Sequence, residues 1–275
     1  MLNKDALGDD SKFAGSIPQL YERYLVPLIF EPYAQDTSRQ VQECRPAAVL
    51  ELAAGTGALT RELAKRLPPE VSIVATDLSQ AMLDEAITAG TSRPVEWRQT
   101  DAMQLPFPDQ SFDIVVCQFG VMFFPEKSAA FAEAKRVLRP GGQFIFSTWD
   151  HIEQNDMIWT VCNALDVLFP DNPPRFMHRG PHGYADKDVI AGDLERAGFT
   201  DNRIDSRSYY SRAATPWDPA IAYCHGSPLR LEIEAKGPTA LTEATKVAAA
   251  ALEKRFGPGS LSGKIQAYVT VALRS

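Results

Sequence analysis

Val49-Leu-Glu-Leu-Ala-Ala-Gly-Thr-Gly57 is the stretch on which the fold turns. It continues a short apolar run that begins at Ala47, of the length and composition of a buried strand, and it ends in two glycines. Leu59 to Leu67 then carries apolar residues at helical spacing until Pro68-Pro69 stops it. A strand that runs through a glycine turn into a helix brings backbone close to a ligand. It also aims a helix N-terminus at the same place, which favours an anionic group such as a carboxylate or phosphate.

The same alternation continues outward. Strands are predicted at Val71–Asp77, Val95–Gln99, Phe112–Gln118 and Gln143–Trp149, with helices at Ser79–Ala89 (Ser79 as N-cap) and Ser128–Leu138, the latter ended by Arg139-Pro-Gly-Gly. Strands alternating with helices give a doubly wound parallel sheet with right-handed crossovers. Beyond it, the pattern predicts helices at 155–169, 186–197, 218–224 and 239–256, a Pro/Gly-rich loop at 170–183, and strands at 204–211 and 267–273. Upstream, Ile17 to Gln42 is rich in aromatic residues and broken by Pro18, Pro27 and Pro32, a pattern of short helical pieces rather than one long helix.

Ligands of such sheets bind at the carboxyl ends of the strands, and four features fall there. Gly55 and Gly57 follow the first strand. Asp77 ends the second, where a carboxylate can accept both hydroxyls of a ribose. Asp101-Ala102 follows the third: the carboxylate can pair with an adenine amino group and the next backbone N–H with a ring nitrogen, while Met82 and Met103 pack on the ring. Gln118 ends the fourth, where an ammonium group can be received. A dinucleotide fingerprint would place a third glycine where Thr60 stands, which argues against an NAD(P)-dependent oxidoreductase.

In this order these segments resemble the class I S-adenosyl-L-methionine (SAM)-dependent methyltransferases, in particular the group similar to the ubiquinone/menaquinone-biosynthesis methyltransferases. The resemblance rests on Val49–Gly57, Thr76-Asp-Leu-Ser-Gln-Ala-Met-Leu83, Asp101–Phe107, Phe112–Val116 and Arg136-Val-Leu-Arg-Pro-Gly-Gly142. It implies a Rossmann-like seven-stranded α/β sheet with an antiparallel last strand, N-terminal lid helices and a small helical cap from C-terminal insertions. The division expected is an N-terminal lid (1–45), a SAM-binding core (46–151) and a region completing the sheet and capping the substrate (152–275). It further implies that Glu51 organises the glycine loop, that Ala53 stands where the family often has another glycine, and that Gly55 and Gly57 face the methionine part of SAM. Asp77 and Leu78 take the ribose side, Asp101, Ala102, Met82 and Met103 the adenine, and Gln118 the amino-acid end. S-adenosyl-L-homocysteine is the product. A SAM-binding regulatory protein without transferase activity is the alternative.

For the acceptor, His151 after the fifth strand is the candidate base and a substrate contact. Tyr21, Phe119 and Met122 are further substrate contacts, and Tyr24 is a cofactor-covering residue of the lid, with Phe13 a lesser candidate. His178 and His182 read as a solvated loop, and His225 as lying near a helix end. No metal is expected, because four-residue histidine spacing suits a metal on a helix and Arg-Gly-Pro separates this pair. Cys44, Cys117, Cys162 and Cys224 are scattered, without Cys-x-x-Cys spacing, and read as reduced thiols of a cytoplasmic protein. The chain starts without a signal-peptide core and has no membrane-spanning run. The net charge of −7 argues against nucleic acid as partner. The expected partner is a small-molecule methyl acceptor, and the expected assembly a monomer or homodimer.

Overall fold

The computed structural model describes residues 15–275; Phe13 lies outside them. Seven strands form one sheet: β1 (Ala48–Glu51), β2 (Ser72–Asp77), β3 (Glu96–Gln99), β4 (Phe112–Gln118), β5 (Leu138–Trp149), β6 (Asp201–Ala213) and β7 (Leu261–Leu273). Their order across the sheet is β3-β2-β1-β4-β5-β7-β6. β1 to β5 are parallel, and β7 enters antiparallel between β5 and β6. The order reverses at β1, whose neighbours are β2 and β4. That reversal opens a crevice at the strands' carboxyl ends.

The apolar runs explain the layering. Val49, Leu50, Val115, Val116, Phe144 and Ile145 are fully buried, because helices cover both faces of a parallel sheet. α3 (Ala58–Arg66) and α4 (Gln80–Ala89) follow β1 and β2, and α5 (Lys127–Val137) follows β4. Ser79 caps α4 by accepting from Met82 N, as the sequence predicts. α5 passes straight into β5 at Leu138, so Arg139-Pro-Gly-Gly lies inside the strand, where the register against β4 shifts. Gly142 is needed there, since a Cβ would meet the Asp113 carbonyl at 2.8 Å.

The N-terminal segment departs from the proline reading. α1 (Ile17–Leu20), a π-helix (Tyr21–Phe30) and α2 (Glu31–Glu43) run on without a gap. Pro18 and Pro32 stand in first turns, where an N–H is not required. Pro27 is accommodated inside the wider π-turn. This arm lays Leu25, Leu28, Ile29, Phe30 and Tyr33 into the core. Tyr33 meets the rings of Phe119, Trp149 and Tyr209 edge-on at 4.8–5.5 Å.

The later helices are α6 (Asp156–Leu168), α7 (Phe176–Arg179), α8 (Lys187–Arg196), α9 (Trp217–His225), α10 (Leu229–Glu234) and α11 (Ala240–Phe256). α6, α9 and α11 pack on one another. α7 sits inside the expected loop 170–183, anchored because Glu232 accepts from Arg175 N and Phe176 N. The four cysteines are free thiols, three of them buried. Among the described residues no helix is long and apolar enough to cross a membrane.

Candidate active site

Two adjoining cavities open at the carboxyl ends of the strands. The larger, of about 290 Å³, is lined by the loops after β1 to β4. β1 ends at Glu51, which is 1% exposed and accepts a 2.6 Å hydrogen bond from Thr60 Oγ1. The residue that replaces the dinucleotide glycine is thus the one that holds the buried carboxyl. Burial pushes the Glu51 carboxyl up to about 8; the Thr60 hydrogen bond works against this, and the nearby charge of Asp77 adds to it.

The loop itself is wound left-handed. Ala53 has φ +51°, Gly55 +57° and Gly57 +83°. For Ala53 this conformation costs about 1 kcal/mol, and the neighbouring chain fits around its methyl group. A Cβ on Gly120 would lie 2.4 Å from Ala53 Cβ and 2.8 Å from Cys117 Sγ. Glycine at 120 is what lets the end of β4 pass alanine at 53.

Asp77 closes the loop from the next strand, accepting from Gly55 N at 2.7 Å and from Ser79 N at 2.8 Å. Asp101 accepts from Met103 N at 2.8 Å, fixing the turn after β3. Gln118 donates through Nε2 to the Phe30 carbonyl at 3.4 Å, joining β4 to the N-terminal arm. Arg61 makes a second joint: Nη1 donates to the Thr56 carbonyl at 2.7 Å and Nη2 pairs with Glu22 at 2.5 Å.

Of the residues singled out for the cofactor, Glu51, Ala53, Gly55, Asp77, Leu78, Met82, Asp101, Ala102, Met103 and Gln118 all line this cavity. Gly57 and Tyr24 do not. Gly57 is the left-handed N-cap of α3, where a Cβ would come within 3.0 Å of the Trp97 ring. Tyr24 packs against the core with Arg23 over its ring.

The lining contains the carboxylates of Asp77 and Asp101, the buried carboxyl of Glu51, which holds its proton at neutral pH, and neither Lys nor Arg. Such a wall suits a ligand with positive charge and opposes a pyrophosphate. Two buried polar atoms on lining residues, Gln118 Oε1 and Thr56 Oγ1, have no hydrogen-bond partner among the described residues. Unspent buried groups of this kind mark where a ligand completes the hydrogen bonding. An acidic wall, a carboxylate at the end of β2 and spare groups in the glycine loop and at the end of β4 together fit SAM. Thr56 was not singled out by the sequence reading, although it stands between the two glycines.

The smaller cavity, of about 70 Å³, shares Tyr21, Phe30, Phe119 and Phe123 with the larger one. Trp149 stacks on Phe119 at 3.9 Å, and Tyr21 on Phe30 at 5.1 Å. Tyr21 and Phe119, two of the proposed substrate contacts, therefore stand in the wall between the cavities. Met122 is 2% exposed and lies in the core, outside both linings.

His151 is corrected in the same way. It is exposed and lines neither cavity, because the chain turns outward after β5 into a short 3₁₀ turn, Ile152–Gln154. The imidazole at the smaller cavity is His182, from the segment read as a solvated loop. Its Nδ1 lies 2.7 Å from the Asp150 carbonyl and its ring 6.0 Å from that of Trp149. Burial pushes its pKa down to about 4, against the Asp150 hydrogen bond, which would raise it. His225 ends α9 and meets Thr245 Oγ1 at 2.8 Å.

A family described as a methyltransferase domain matches residues 50–146. A ubiquinone/menaquinone biosynthesis C-methyltransferase UbiE of Burkholderia orbicola is 32% identical over 175 residues, covering 59% of this chain and 69% of that protein. The UbiE of Teredinibacter turnerae is 30% identical, covering 56% of this chain and 68% of its own length. Among solved structures, Haemonchus contortus phosphoethanolamine N-methyltransferase 2 in complex with SAM superposes with a TM-score of 0.60 at 15% identity, covering all of this chain and 60% of that one. At that identity the likeness concerns the fold.

Proposed function

This chain belongs to the class I SAM-dependent methyltransferases related to UbiE, and on that premise we propose that it methylates a small molecule seated in the smaller cavity. The observation that carries the reading is the shared wall: one set of aromatic side chains, Tyr21, Phe30, Phe119 and Phe123, borders both cavities. The cavities adjoin along these side chains, so that a cofactor in one lies next to an acceptor in the other.

In this reading Asp77 holds the ribose, Asp101 with Ala102 the adenine, and Gln118 with Thr56 and the Gly55 loop the amino-acid end. Glu51 supports the loop from below through Thr60. SAM, when bound, supplies a methyl group on a positively charged sulfur, so that transfer is a direct in-line displacement. The chain's own contribution is then positioning, which accounts for a large part of rate enhancement when two reactants are held in line. The aromatic wall excludes water, and the N-terminal arm, joined to the cofactor loop through Glu22–Arg61 and Phe30–Gln118, closes the site from above.

The test is direct. Purified protein is incubated with methyl-labelled SAM and a metabolite extract, and the products are separated by mass. A labelled small molecule that fails to form with Asp77→Ala supports the reading; label found only on protein or nucleic acid refutes it.

A further inference from the structure

β6 (Asp201–Ala213) is 13 residues long and lies at the edge of the sheet, paired with β7 alone. The direction of its backbone groups follows from β7. The Gln266 carbonyl accepts from Asp150 N and Gln266 N donates to Asn155 Oδ1, while Arg274 exchanges backbone hydrogen bonds with Gly141 and Gly142. Even-numbered residues of β7 therefore aim their backbone groups at β5, and odd-numbered ones at β6. The register sets Asp205 against Val269 and Arg207 against Ala267, so the odd-numbered residues of β6 are spent on β7. Asn202, Ile204, Ser206 and Ser208 turn their N–H and C=O groups outward. Among the described residues no further element bonds to those groups.

An open edge of this length is a template for another strand, and its side chains indicate which one. Asp201, Arg203, Asp205 and Arg207 alternate in sign along one face of the strand. Within the chain Asp205 pairs with Arg203 at 3.0 Å and with Arg207 at 3.8 Å, in contact with solvent. The N-terminal arm holds the strand only from Arg207 onward, where Tyr33 Oη donates to the Arg207 carbonyl and Ser211 Oγ to the Leu28 carbonyl. An antiparallel second copy centred on Ile204 sets Arg203 opposite the partner subunit's Asp205, and Asp201 opposite the partner subunit's Arg207. Two-fold symmetry repeats each pair. In the same register the outward backbone groups meet as hydrogen-bonded pairs, Ile204 with the partner subunit's Ile204 and Asn202 with the partner subunit's Ser206. Centring on Arg203 or on Asp205 instead sets like charges on the axis, which is destabilising. Centring on Asn202 or Ser206 keeps only one of the two kinds of opposite-charge pair.

We propose that the N-terminal half of β6 is a docking edge for a second copy of this chain, which adds its own β6 antiparallel about a two-fold axis at Ile204. The row Asp201, Arg203, Asp205, Arg207 is its own complement when reversed, and it selects this register. A row of one sign would hold any second copy away, whereas this row is satisfied best by its own antiparallel image. The ion pairs are exposed, so each contributes little by itself. The outward N–H and C=O groups, bonded across the axis, give the edge its adhesion, and the charges fix which residues meet. Ile204 packs against the core of its own chain, and its side chain meets its symmetry mate at the axis. The joined edges make one continuous sheet of two copies. The cofactor cavity, at the ends of β1 and β4, lies three strands from the new contact, so it stays open in the pair.

The experiment is sedimentation equilibrium of the full chain from about 1 to 200 µM, a range that captures micromolar association. The wild type should approach twice the chain mass of 30.3 kDa. Arg203→Asp and Asp205→Arg each turn the two central opposite-charge pairs into like-charge pairs. Each should raise the dissociation constant about tenfold or more, with an unchanged circular dichroism spectrum. The double variant restores opposite charges in exchanged places and should associate as the wild type does. A cysteine pair tests the register independently of charge. Ile204→Cys should form an interchain disulfide under mild oxidation, because hydrogen-bonded neighbours stand about 5.5 Å apart. Ser208→Cys, about 27 Å from its mate in this register, should cross-link no more than the wild type. A wild type that stays monomeric throughout the range would overturn the proposal. So would association indifferent to both charge reversals, a double variant as weak as the singles, or cross-linking at 208 in preference to 204.

Discussion

The two cavities differ in how they are made. Apart from Tyr21 and Phe30, the cofactor cavity is built from residues 51 to 125, contributed by the ends of the strands and by the turns and helix starts that follow them. The smaller cavity gathers the N-terminal arm, the segment after β4, the end of β5, α6, α7, the loop to His182, α9 and β7. The first carries the carboxyl groups of Asp77 and Asp101 and a left-handed glycine loop; the second is aromatic and lined by no Asp, Glu, Lys or Arg. The difference teaches that one cavity is made by segments close together in the sequence and the other by segments brought together from across the chain.

The comparison breaks most sharply at Asp77. Asp77→Ala removes a charged acceptor from Gly55 N and Ser79 N and from any ribose, a loss of about 3 kcal/mol or more. SAM affinity should fall on the order of 100-fold by calorimetry. His182→Gln, at the smaller cavity, should spare SAM affinity. If both substitutions weaken SAM equally, the two cavities are not separate sites.

Next is the packed pair at the end of β4. Gly120→Ala drives a methyl into Ala53 and Cys117 and should cost about 3 kcal/mol in denaturant unfolding. Ala53→Gly relieves the left-handed alanine and makes room. It should leave stability unchanged to within about 1 kcal/mol and recover most of the loss in the double variant. Additive effects would show that the two residues do not share one space.

Glu51 tests the electrostatics. Its folded pKa of about 8 lies above the ordinary carboxyl value, so the folded state holds the proton more tightly than the unfolded one. Stability from this group is full below the ordinary value and is lost as pH rises through 8. Glu51→Gln should therefore be near neutral at pH 4.5 and stabilise the ligand-free protein by about 2–4 kcal/mol at pH 9. Thermal unfolding at the two pH values measures it, and equal effects would refute it.

The smallest effect belongs to the arm. Arg61 and Glu22 are partly exposed, which weakens their pair through solvent screening. Arg61→Ala should weaken SAM about tenfold or less and speed its release in stopped flow. No change in the release rate would mean that the arm does not close the site.

The cofactor side was largely legible in the sequence. Glycine turns, strand-end carboxylates and Met82 each act within a few residues of where they stand, so spacing carried the information. Gly57 and Tyr24 show where that reading thins. Gly57 serves the helix cap rather than the cavity wall, and Tyr24 packs against the core without reaching the cavity. The acceptor side was not legible in the same way. His151 had the right place in the sequence, but the turn after β5 carries it outward. His182, thirty-one residues later in a Pro/Gly-rich stretch, comes back over Trp149 and takes its proton position from the carbonyl of Asp150.

The sequence by itself determined the alternation of strands and helices, the glycine loop and the carboxylates that ring the cofactor cavity. These depend on short-range periodicity and on what individual residue types can do. Only the tertiary structure decided the insertion of β7 between β5 and β6, the unbroken N-terminal arm, and the histidine that lines the smaller cavity. Each of these is a meeting of segments distant along the chain, settled by which apolar faces bury one another and not by any local signal.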